Sequence, residues 1–277
     1  TFDVVIIGDS SVWGTLLKPE ETISGQLNNL GLKTCDGTPI HFYNLGYPSL
    51  SLTKDLVILD KALEKSPGLI LWFVTLESFP EQVQYSTPIL LNNPSVVKSV
   101  LAKYHLEEGT ENADFVETGF WDKTIIGNRR SLADLVRLQL YGVMWAATGI
   151  DQYYPENYTS AQHDLDADPT FHGWSEDTNL DDYLAWDVLD AGITLAGKVP
   201  VVIINEPILR SSGLNSDIRY DYYYPRWAYD SYRLLLQEKA AQMDWYYVDL
   251  WDITSEDEFT NSAIHMTPAA TGNFSQQ

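Results

Sequence analysis

A run of four β-branched apolar residues, Val4-Val5-Ile6-Ile7, stops at Gly8 and passes straight into Asp9-Ser10-Ser11. No face of the run is polar, which fits a strand buried on both sides, as in a parallel sheet covered by helices. Two further runs repeat the design. Ile40 to Leu45 halts at Gly46, and Leu69 to Val74 delivers Thr75-Leu76-Glu77-Ser78. Helical patterns separate them. Pro19-Glu20-Glu21 leads into Ile23, Leu27 and Leu30 at helical spacing, and Ser51 precedes Leu52, Leu56, Leu59 and Leu63. Strand, helix, strand, helix, strand at these lengths predicts a doubly wound parallel sheet. Such sheets bind ligands at the carboxyl ends of their strands, beside the point where strand order reverses. The turns opening at Gly8, Gly46 and Thr75 are therefore where chemistry is expected.

The sheet resumes late. Val199 to Ile204, with Pro200 at its start, ends in Asn205-Glu206-Pro207. A helix is predicted from Trp227 to Met243, a fifth strand over Tyr246 to Leu250, and a last helix beginning at Thr267-Pro268. Between residues 79 and 195 the pattern loosens. It holds a helix near Pro94–Tyr104, a longer one at Leu132–Ala147, and a Tyr- and Asp-rich span from Asp151 to Asp182. A doubly wound fold needs far fewer residues between its third and fourth strands, so an insertion or cap over 79–195 is expected on one domain spanning 1–277.

Composition narrows the partners. A formal charge of −22 repels nucleic acid and anionic membrane surfaces. The single cysteine, Cys35, excludes an intramolecular disulfide framework. No apolar run reaches membrane-spanning length. The chain opens without Met and almost on its first strand, which leaves room for an upstream leader or anchor and favours an extracytoplasmic setting. Asp164, Asp166 and Asp168 alternate like the opening of a calcium loop. Pro169, however, stands where that loop needs Gly, and Ser175 where it needs Glu, so no metal is assigned. No cofactor is expected. Nine Trp and seventeen Tyr suit either ordinary packing or an aromatic cleft that stacks on sugar rings.

Ser10 is the candidate nucleophile: it sits at a strand exit, where a following helix would aim free N–H groups at an anion formed on its substrate. His265 is the candidate base, since it precedes a helix start near the C-terminus. Gly8-Asp9-Ser10, Asn44-Leu45-Gly46 and His265-Met266-Thr267-Pro268 together resemble the SGNH, or GDSL-like, hydrolase family. The resemblance covers the two ends of the chain. It implies a three-layer α/β/α fold with a flavodoxin-like five-stranded sheet, attack by Ser10 on an ester carbonyl, and an oxyanion held by the N–H groups of Ser10 and Gly46. The His265 block is most similar to members that handle acyl groups on cell-envelope polysaccharides.

Two departures from the family pattern stand out. Its Gly-x-Asn-Asp block is here Val74-Thr75-Leu76-Glu77, so the Thr75 hydroxyl is the expected third oxyanion donor, with Glu77 holding the loop and Asn205 an alternative. Its Asp three residues before the histidine is replaced by Ser262, with Asn261 one earlier. Asp252 and Asp257 are the carboxylates that could substitute. Asp9, Glu77, Asn205, Glu206, Arg219 and Arg226 are expected around a polar substrate, Glu206 buried with either a raised pKa or a hydrogen bond to Arg219 or Arg226. An esterase acting on acyl, foremost acetyl, esters of carbohydrates is the leading reading. The alternatives are an O-acyltransferase acting on a cell-envelope polysaccharide and a catalytically weakened carbohydrate-binding protein. There is no Gly-x-Ser-x-Gly elbow, Gly-rich phosphate loop or His-x-x-x-His pair.

Overall fold

The computed structural model describes residues 1–106, 114–116, 119–121, 124–148, 154–155 and 157–277. Strands β1 (Phe2–Ile7), β2 (Ile40–Asn44), β3 (Leu69–Val74), β4 (Val201–Asn205) and β5 (Tyr246–Asp249) form one parallel sheet in the order β2-β1-β3-β4-β5. Order reverses at β1, whose neighbours are β2 on one side and β3 on the other. The crevice beyond the carboxyl ends of β1 and β3 is thus the switch point of the fold.

The alternation of strand side chains sorts the two helical layers. Val5, Ile7, Ile70, Trp72, Val74, Val201 and Ile203 face one core, shared with α3 (Leu52–Leu63), α5 (Pro94–Tyr104), α7 (Trp186–Ala196) and α8 (Arg226–Met243). Val4, Ile6, Phe42, Phe73 and Ile204 face the other, shared with α2 (Ile23–Asn29) and α9 (Pro268–Phe274). Gly192 of α7 lies against the Trp72 ring, where a Cβ would come within 2.3 Å of it. The layers are α/β/α, as the strand pattern predicts.

The stretch 79–195 is divided. Its helices α5 and α7, with Phe79, Leu180 and Leu184, are built into the larger core. The short α4 (Pro88–Leu91) precedes α5. Helix α6 (Arg129–Thr148), longer at both ends than the pattern predicts, leaves Leu132, Leu135, Val136, Leu138, Leu140 and Val143 exposed. Asp151 and the residues next to it, predicted as the start of a Tyr- and Asp-rich span, lie outside the described residues. Among the described residues no helix is long and apolar enough to cross a membrane.

A buried ion pair fastens the carboxyl edge of the sheet. Lys54, in the first turn of α3, is fully buried and donates to the carbonyls of Gly8 at 2.8 Å, Tyr47 at 3.3 Å and Ser49 at 2.8 Å. Its charge is met by Asp55 Oδ1 at 2.7 Å, and the Trp72 indole N–H donates to Asp55 Oδ2 at 3.2 Å. Burial nonetheless pushes the Asp55 carboxyl up to about 6, against the pull of Lys54. One ammonium thus ties the exits of β1 and β2 to each other and to the helix behind them.

Candidate active site

The turn after β1 is short because the sequence caps it at once. Asp9 Oδ1 accepts from the Ser11 N–H at 2.7 Å, opening the single-turn α1 (Ser10–Trp13). Gly14 closes it in the left-handed region at φ 88°, its N–H reaching the Ser10 carbonyl at 3.1 Å. Ser10 is therefore the first helical residue, where N–H groups point out of the helix end.

On the far side of the sequence, the loop before α9 is braced through its backbone. The His265 carbonyl accepts from Thr260 N at 2.7 Å and Thr260 Oγ1 at 3.0 Å, and Thr267 caps α9 by accepting from Ala270 N at 3.2 Å. Ile264 and Met266 are buried on either side, which leaves His265 pointing the other way. Its Nε2 stands 2.8 Å from Ser10 Oγ and its Nδ1 3.1 Å from Asn261 Oδ1. An amide oxygen can only accept, so Nδ1 carries the proton and Nε2 is free to take one from the serine. Asn261, not Ser262, is the group behind the imidazole. Ser262 is buried and accepts from the Tyr222 hydroxyl at 3.3 Å, while Asp252 and Asp257 are exposed.

Burial holds the His265 imidazolium down, with the Asp9 charge pulling weakly the other way. A base whose folded pKa is lowered stays neutral to lower pH. The acid limb of kcat/KM for any reaction using His265 is accordingly expected below the usual histidine value near 6.5. Asn261→Asp adds the missing charge. A charge-assisted hydrogen bond exceeds a neutral one by roughly 1–2 kcal/mol, so kcat is expected to rise about tenfold. The acid limb should move up as the carboxylate favours imidazolium. Steady-state pH profiles of both forms check it; an unchanged limb would show that Asn261 does not sense the imidazole.

The other expected residues fall into distinct places. Gly46 packs on α1 so closely that a Cβ would lie 2.4 Å from Trp13 N, and its own N–H donates to Asn44 Oδ1 at 2.9 Å. Asn44 Nδ2 in turn reaches the Val12 carbonyl at 2.6 Å. Thr75 is fully buried with its hydroxyl 3.1 Å from the Tyr224 hydroxyl, so it faces the core. Asn205 is likewise buried, donating to Asp249 at 2.9 Å and accepting from Tyr229 and Tyr232 at 3.3 Å each. Glu77 pairs with His172 at 2.9 Å; burial raises its carboxyl, and the imidazole partly offsets this.

Glu206 is buried and its carboxyl is raised, by burial and then by the Asp9 charge; its Oε2 accepts from the Ser11 hydroxyl and from neither arginine. The arginines expected beside it are occupied with backbone carbonyls. Arg219 donates to those of Asp168, Thr170, Asp221 and Tyr222, and Arg226 donates to that of Ser216 while lying 4.3 Å over the Tyr220 ring. Sequence reading missed Lys54, Ser11 and His172. Lys54 stands beside Asp55 in the first turn of α3, where two adjacent charges read as solvated. Among the described residues no cluster of three or more His, Cys, Asp or Glu could hold a metal ion.

No family model and no curated protein sequence matches the chain. Among solved structures it is similar to a member of the lipolytic protein G-D-S-L family from Veillonella parvula DSM 2008, at 9% identity and TM-score 0.46, covering 99% of this chain and 96% of that one. It is similar also to the lipase/acylhydrolase from Enterococcus faecalis, at 13% identity and TM-score 0.48, covering 100% and 92%. A third is a carbohydrate acetylesterase family member from Sinorhizobium meliloti, at 12% identity and TM-score 0.41, covering 100% and 94%. The sheet order β2-β1-β3-β4-β5 with helices on both faces is a three-layer α/β/α arrangement.

Proposed function

We propose that this chain is a serine ester hydrolase of the SGNH type that removes a short acyl group, foremost acetyl, from a carbohydrate. The observation that carries the reading is the 2.8 Å contact between Ser10 Oγ and His265 Nε2, with Asn261 Oδ1 fixing the productive tautomer. Ser10 Oγ attacks the ester carbonyl as its proton passes to His265 Nε2, and the carbonyl electrons move onto oxygen. Collapse of that adduct expels the sugar oxygen, which takes the proton from Nε2. Water then repeats the sequence on the acyl-serine. The Ser10 N–H, at the helix start, serves as one donor to the oxyanion; the Gly46 N–H must exchange its Asn44 acceptor to join it.

The carbohydrate part of the reading rests on aromatic surface beside the histidine loop. Tyr222 and Tyr223 are partly exposed with ring centroids 4.5 Å apart, and the Tyr222 hydroxyl accepts from Ala263 N at 3.1 Å. Sugar rings stack on such faces. The test is acetate release from an O-acetylated polysaccharide and from p-nitrophenyl acetate. Release from both supports the reading. Acyl appearing on an added polysaccharide without net acetate release would make the chain a transferase, and glycan binding without turnover a binding protein.

A further inference from the structure

Beneath the nucleophile turn lie two carboxyl groups that the serine–histidine chemistry does not use. Asp9 is 4% and Glu206 2% exposed, and both hold Ser11: Asp9 through its N–H, Glu206 through its hydroxyl. The remaining oxygens, Asp9 Oδ2 and Glu206 Oε1, are buried with no hydrogen-bond partner among the described residues, and the two carboxyls converge on the N–H and the hydroxyl of the same Ser11. Two bare carboxylates in that position would repel in a low-dielectric pocket, and each would keep an unsatisfied oxygen. A proton between them satisfies both.

We propose that Asp9 and Glu206 share one proton, and that Glu206, acting through Ser11, is a positioning residue that seats Ser10 against His265. The inference rests on the esterase reading for its kinetic part only. Burial, then the Asp9 charge, raise the Glu206 carboxyl well above the ordinary range, in line with Glu206 holding the shared proton. The other groups facing it are Lys54 from α3, whose charge is paired with Asp55 and pulls the Glu206 carboxyl the other way, and the Tyr229 phenol from α8. His265 feels the pair only through Asp9. Glu206 is anchored independently, its N–H donating to the Val74 carbonyl at 3.1 Å. As pH rises through the Glu206 pKa the shared proton leaves, a second negative charge forms in the pocket, and the turn carrying Ser10 is pushed out of register.

Two measurements test this. Infrared difference spectra of the wild-type protein at neutral pH are expected to show the C=O band of a protonated buried carboxyl that Glu206→Gln removes. In kinetics, wild type should lose kcat with a one-proton slope on the alkaline side while KM holds. Glu206→Gln, whose amide donates permanently to Asp9, should lack that alkaline fall. Glu206→Ala should lower kcat about 10²-fold at every pH, the cost of a misplaced reacting group. A wild-type spectrum with no such band, or an alkaline fall unchanged in Glu206→Gln, overturns the inference. If wild type turns over no ester, the esterase reading fails; the infrared band still decides whether the proton is there.

Discussion

Ser10→Ala is expected to lower kcat for p-nitrophenyl acetate by about 10⁴-fold while leaving the protein folded. In the proposed reaction the substitution removes the atom that would form the acyl-enzyme, and intact serine triads lose more than this when the nucleophile is removed. The loss here should be smaller because the group behind His265 is an amide. In a trypsin-type site, changing the acid to an amide costs about 10⁴ because the imidazole is held in the wrong tautomer. Asn261 offers its Oδ1 to Nδ1, so the imidazole is held in the tautomer a base needs, and what its partner lacks is the charge. A fluorophosphonate probe should label Ser10 in the wild type and leave Ser10→Ala unlabelled, with unchanged circular dichroism. Labelling that survives the substitution would place the nucleophile elsewhere.

The second large effect is on stability. Lys54→Met is expected to destabilise the fold by roughly 3–5 kcal/mol, the usual penalty for stranding one member of a buried ion pair. Three carbonyls lose the ammonium, although those of Gly8 and Tyr47 keep the N–H groups of Tyr47 and Ser49, and Asp55 keeps only the indole of Trp72. The double substitution Lys54→Met with Asp55→Leu should recover part of the loss, because an apolar pair needs no partner. Denaturant titrations of the wild type, the single and the double variant check it. Equal losses in single and double variants would show that the carbonyl contacts, and not the charge pair, dominate.

Legibility in the sequence followed the range of the interactions. Val4 to Ile7, Leu69 to Val74 and the glycine at each turn were readable because strand pattern and turn chemistry are local. Ser10 and His265 were readable because each sits at an element boundary of recognisable type. Lys54 and Asp55 were not: two adjacent charges at a helix start look like a solvated first turn, and only the packed sheet shows them buried. Ser11 and Glu206 are 195 residues apart, and nothing local announces their bond. Whether Asn261 or Ser262 backs the histidine depended on which way a short loop turns, and the Tyr222 hydroxyl decided it by engaging Ser262. The pairing of Glu206 with an arginine failed for a related reason, since four open carbonyls around Arg219 outbid a carboxyl already seated on Ser11.

The Asn44 amide bridges Gly46 N–H and the Val12 carbonyl, and so it keeps a donor engaged while the site is at rest. In the acyl-transfer reading this makes the donor selective. A neutral ester oxygen is no better an acceptor than the amide already in place and gains little by displacing it, whereas an alkoxide, carrying full charge, wins the exchange. Asn44 then acts as a placeholder that withholds binding energy from the ground state and releases it only as the tetrahedral adduct forms.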